Sequence, residues 1–139
     1  EARFALERAC APLSAQRRSA DHLAAMRAEI HRQIQPGLTD EAFCVSDVAF
    51  YRALVEGAGN PFLSYQLAGA VESMQPLMNM ITFTARSREA IVALHIRIAG
   101  ALDAQSAPDT ESALSDLEHY TLTLGRDVMA RHARARSNG

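Results

Sequence analysis

Apolar residues recur every three to four positions along nearly the whole chain, and short polar or Gly-Pro breaks divide that recurrence into blocks. This spacing marks one face of a helix and conflicts with the two-residue alternation of a strand. No series of alternating β-branched runs bounded by tight turns interrupts it. The expected fold is therefore all-α.

Cap and stop signals set the helix boundaries. A first helix is expected from Ala2 to Arg17, with Phe4, Leu6, Ala9, Cys10 and Leu13 as its apolar stripe and Pro12 kinking or shortening it. Ser19 and Asp21 are candidate caps for a second helix, which carries Leu23, Met26, Ile30 and Ile34 and stops at Pro36-Gly37. Thr39 is the expected cap of a third, bearing Phe43, Phe50, Leu54 and Val55 and closed by the run from Gly57 to Pro61. Within that run Asn60 is expected to shape the loop, because Asn tolerates the left-handed conformation. A long apolar fourth segment, Phe62 to Ala85, should bend at Pro76. Ser87 caps a fifth helix holding Ile91, Leu94, His95, Ile98 and Leu102. After a turn-rich connection, Asp109 or Thr110 is expected to cap a last helix running toward Arg134. Six to seven helices joined by short loops imply an antiparallel bundle.

The chain of 139 residues fits one domain, 1–139, and its size suffices for a core without disulfide or metal. The net charge of −2 is spread out, which argues against DNA binding by this chain itself. The one basic cluster, Arg126, Arg131, His132, Arg134 and Arg136, reads as complement to a helix dipole and as solvated tail. Cys10 and Cys44 stand in no metal-like spacing and read as small core residues, so a cytoplasmic setting is expected. No apolar run reaches the length of a membrane span. The chain opens at Glu1, without Met and inside a helical pattern, so a preceding segment is expected.

Five motifs then fall in a familiar order. They are Glu1-Ala2-Arg3 with Leu6-Glu7; Asp47-Val48-Ala49-Phe50-Tyr51-Arg52-Ala53-Leu54; Gly59-Asn60-Pro61-Phe62-Leu63; His95; and His119. Together they resemble the C-terminal effector-binding (FCD) domain of GntR-family transcription regulators of the FadR branch. The resemblance implies a homodimeric sensor of a small organic-acid metabolite, without catalysis of its own. It also implies contact with DNA only through an N-terminal winged helix-turn-helix domain that this sequence lacks. Relatives hold a divalent metal on one Asp and three His. Here the corresponding set is Asp47, His95 and His119, with Tyr51 at the position of the missing His and Leu94 replacing the acid before His95.

Asp47 and Tyr51 are four apart and share a helix face. One carboxylate and two imidazoles suit Zn, Ni or Mn, with an effector carboxylate completing the shell. Without metal, Tyr51, His95 and His119 would bond the effector directly. The resemblance places Arg3 in the effector pocket, where its guanidinium would take a carboxylate; the competing reading is an exposed arginine or an Arg3–Glu7 helix pair. Thr123 and Arg126 share the His119 face, and Asn79 and Thr82 are polar residues inside the apolar fourth segment, so all four are candidate effector contacts. Two rivals stand beside the sensor: an all-α non-haem metalloenzyme, since two His and one carboxylate match a facial triad in type, and a pure dimerisation module with structural histidines.

Overall fold

The computed structural model describes residues 2–70 and 86–137, which are helical apart from short connections and include no strand. In chain order the helices are α1 (Ala2–Arg17), α2 (Ala20–Gln33), α3 (Asp40–Gly57), α4 (from residue 61, described to 70), α5 (Arg88–Asp103) and α6 (Ala107–Ser137). The expectations for Pro76, Asn79 and Thr82 lie outside the described residues.

Most boundaries follow from the side chains named above. Ser19, Thr39 and Ser87 each accept a hydrogen bond from the backbone N–H three residues on, satisfying a donor that the first turn leaves free. Ser19 completes its cap with His22, whose Nδ1 accepts from the Ser19 N–H at 3.1 Å. Two expectations need correction. Asn60 shapes its loop by capping α4, accepting from the N–H groups of Phe62 and Leu63, while Gly59 at φ 63° makes the left-handed turn. The cap of α6 is Ser106, not Asp109 or Thr110: Ser106 Oγ accepts from the Asp109 N–H and donates to the Asp109 carboxylate at 2.6 Å. α1 has the expected span, running through Pro12 to Arg17. Proline has no N–H, so the Arg8 carbonyl loses its helical donor there, at an exposed position.

α1 packs against α3 and α6, α2 against α3 and α5, and α5 against α6. Phe4 and Cys10 of α1, Phe43, Phe50 and Leu54 of α3, Ile98 and Leu102 of α5, and Leu114 and Leu117 of α6 fill the common interior. Each large side chain buried there contributes about 1.5–3 kcal/mol. Arginines close the ends of helices: Arg18 donates to the carbonyls of Leu102 and Asp103, and Arg17 to that of Ala58. Both cysteines are buried and free.

Gly57 of α3 packs against the end of α1, so that a Cβ there would lie 2.8 Å from Ser14 Oγ and 3.2 Å from Arg18 Cβ. Ser14 is fully buried and its hydroxyl has no partner. Gly57→Ala is expected to cost about 1–2 kcal/mol in denaturant unfolding, and adding Ser14→Ala should recover most of that loss by opening space for the methyl group.

Candidate functional site

The sequence places polar residues on the inner faces of α1, α3 and α5, and packing brings them together. Asp47 and Tyr51, one turn apart on α3, both face His95 of α5. The Tyr51 hydroxyl lies 2.8 Å and Asp47 Oδ1 3.2 Å from His95 Nε2. The imidazole is fully buried and stacks on Phe50, with centroids 4.1 Å apart.

A second row of bonds orients that imidazole. His95 Nδ1 and Gln33 Oε1 are 2.8 Å apart, Gln33 Nε2 donates to Ser46 Oγ at 3.1 Å, and Ser46 Oγ donates to the Glu29 carbonyl at 3.3 Å. A backbone carbonyl can only accept, so the row fixes its own direction and puts a proton on His95 Nδ1. Nε2, on the far side of the ring, faces both the Tyr51 hydroxyl and Asp47 Oδ1, and that oxygen is otherwise buried without a hydrogen bond.

Two guanidiniums enclose the other side. Arg86, just ahead of α5, donates to Asp47 Oδ2 at 3.3 Å and to Cys44 Sγ at 3.1 Å, and lies over the Phe43 ring. Arg3 lies 4.4 Å from the Tyr51 ring centroid, and its Nε donates to Glu7 Oε1 at 2.7 Å. The Arg3–Glu7 helix pair is thus formed, and its Glu7 side is fully inaccessible. Burial pushes the Glu7 carboxyl up, against the opposing pull of Arg3. Burial would also raise Asp47, but His95, Arg3 and Arg86 outweigh it and hold the carboxyl below its usual range. Burial, reinforced by the Asp47 charge, holds the Tyr51 phenol well above its usual range, so it keeps its proton.

Between these groups is a cavity of about 20 Å³, room for a single water, bordered by Arg3, Asp47, Tyr51 and Arg86. α6 closes it with Leu117, Tyr120, Thr121 and Leu124. The Tyr120 hydroxyl accepts from the Ser87 N–H at 2.9 Å, which leaves its own proton to offer. A wider groove of about 270 Å³ runs between α3 and α4, but it lies away from this cluster.

His119 is not in the site. It shares a face with Thr123 and Arg126 as expected, but that face is exposed. The inward stripe of α6 is 117, 120, 121 and 124, one side of a helix, and His119 falls nearly opposite. The apolar periodicity through Leu114, Leu117, Leu124 and Val128 carried this information. Sequence reasoning also missed Glu7, Gln33, Ser46 and Arg86 as parts of the cluster.

The metal expectation can be tested against these donors. An outward Nε2 fixed from behind by a bonded Nδ1–H is how a ligating imidazole is commonly held. Yet only Asp47 and His95 of the expected set meet here, the phenol stays protonated, and Asp47 already pairs with a guanidinium. Among the described residues, no three His, Cys, Asp or Glu are grouped so as to hold an ion. These residues do not fit a resident divalent cation.

Helices converging on a small, charged, partly open cavity describe an all-α ligand-binding domain. The chain belongs to the FCD domain family, whose model matches residues 1–119. FCD domains are the C-terminal effector-binding domains of GntR-family regulators, and so this is a regulatory ligand-binding domain. No curated protein matches the chain. Among the described residues, no helix is long and apolar enough to cross a membrane.

Proposed function

We propose that this domain senses a small carboxylate metabolite directly, without a resident metal and without catalysis. The observation that carries the reading is the pair of guanidiniums, Arg3 and Arg86, bordering one small, partly open cavity with the protonated phenol of Tyr51. A guanidinium presents paired donors matched to a carboxylate, and the neutral Tyr51 and Tyr120 hydroxyls add bonds without adding charge.

The cavity admits only about one water, so a metabolite must bind a second arrangement in which Arg86 or α6 has moved outward. Preference for the open arrangement is then the source of signalling. In the intact regulator that shift would alter the placement of two upstream DNA-binding domains on their half-sites. Assembly as a homodimer in the cytoplasm completes the reading. Phe62 and Tyr65 on α4, 66% and 77% exposed, are candidates for the subunit contact.

The test is a thermal-shift and calorimetric screen of two- to six-carbon carboxylates, run beside elemental analysis after incubation with zinc, nickel or manganese. A sensor gains about 5–10 °C at saturation with at least one carboxylate and retains no stoichiometric metal. Retained metal that is lost in His95→Ala would overturn metal independence. No response to any carboxylate would leave the dimerisation-module reading, which the smallness of the cavity favours.

A further inference from the structure

Glu7 is the buried ionisable group that the sensing reading does not use. It is fully inaccessible; Oε1 holds Arg3 Nε at 2.7 Å, and Oε2 is buried with no hydrogen bond. It does not border the cavity, but Arg3 does, so Glu7 stands behind the guanidinium that a ligand would meet. Around it are Arg3 and Cys10 on α1 and Asp47 and Tyr51 on α3. Beyond Arg3 lie Arg86 ahead of α5, His95 behind Tyr51, and Tyr120 on α6, while Glu118 of α6 is held by Arg8.

We infer that Glu7 is a positioning residue that couples carboxylate binding at Arg3 to the uptake of one proton. The inference rests on the carboxylate-sensing reading above. A ligand carboxylate on Arg3 puts a second anion on one guanidinium. Glu7, fully dry and with an oxygen already unbonded, is the anion that is cheapest to neutralise. Solvent supplies the proton, Glu7 Oε2 carries it, and Oε1 still accepts from Arg3 Nε. Burial already pushes this carboxyl up, which brings the exchange toward neutral pH.

Binding that takes up a proton weakens as pH rises. Affinity is therefore greatest below the pKa of Glu7 in the free domain and falls by about tenfold per pH unit at its steepest. It levels off above the pKa in the complex. The experiment titrates the chain with lactate, pyruvate and oxalate from about pH 5 to about pH 8.5, where these acids stay ionised. Calorimetry in buffers of different ionisation enthalpy counts the protons taken up. The wild type should take up a fraction of a proton rising toward one. Glu7→Gln, which keeps an acceptor for Arg3 Nε, should bind more tightly at pH 8 with a flat profile.

Carboxylate binding with no proton exchange at any pH overturns the inference and leaves the sensing reading intact, as does a Glu7→Gln variant with the wild-type slope. The wild-type proton count decides the matter even if that variant does not fold. Failure of these three and of every other two- to six-carbon carboxylate in the screen to bind either protein overturns the sensing reading, and the inference falls with it.

Discussion

Arg3→Met should lower the unfolding free energy by about 3–5 kcal/mol at neutral pH, far more than an exposed helical ion pair is worth. The reason is the environment of Glu7. Its carboxyl is fully buried, and among the described residues Arg3 is the only group bonded to it. Without the guanidinium, Glu7 must be buried as an uncompensated anion or take a proton. Its pKa, already raised by burial, rises further. The folded variant then binds a proton that the unfolded chain releases near its ordinary carboxyl pKa of about 4.3. Its stability therefore falls as pH climbs from that value through the raised folded one. The deficit against wild type should be large at pH 7.5 and much smaller near pH 4.5, as read by guanidinium unfolding at both. Removing the acid as well, in Arg3→Met with Glu7→Leu, should restore most of the loss. A pH-independent deficit that survives the double change would show that Arg3 matters through packing on Phe4 and Tyr51 instead.

His95→Ala should cost roughly 3–5 kcal/mol and lower the melting temperature by about 10 °C or more. The truncation opens a cavity beside Phe50, against which the imidazole stacks. It also strands two buried polar groups, Gln33 Oε1 and the Tyr51 hydroxyl. His95→Phe separates these effects: it keeps the stack but not the bonds and should lose about half as much. Tyr51→Phe removes one donor and should cost about 1 kcal/mol. Equal losses for His95→Ala and His95→Phe would mean that the bonds, not the ring packing, dominate.

The helices were readable because their signals are local. Ser19, Thr39 and Ser87 cap where a short polar side chain precedes an apolar period, and the cap of α6 was misplaced because Ser106, Asp109 and Thr110 all carry the same signal within one turn. Half of the site was readable for the same reason: Asp47 and Tyr51 lie on one face by spacing alone, and His95 sits on the buried stripe of its helix. The motif order points His119 inward, whereas the apolar phase of α6 turns it outward. Gln33 and Ser46 could not be found this way. A buried polar residue is recognised by its partner, and Gln33 finds His95 62 positions away. Arg86 likewise reaches back 39 positions to Asp47.

The row of bonds behind His95 has a consequence for where occupancy of the cavity can be observed. α2 contributes nothing to the cavity wall, yet Gln33 on its last turn and the Glu29 carbonyl end a wire that begins at the Tyr51 hydroxyl. A ligand that engages the Tyr51 hydroxyl competes with its bond to His95, and the change passes by way of Gln33 and Ser46 to the last turns of α2. The amide protons there, remote from any bound molecule, become a reporter of whether the cavity is filled.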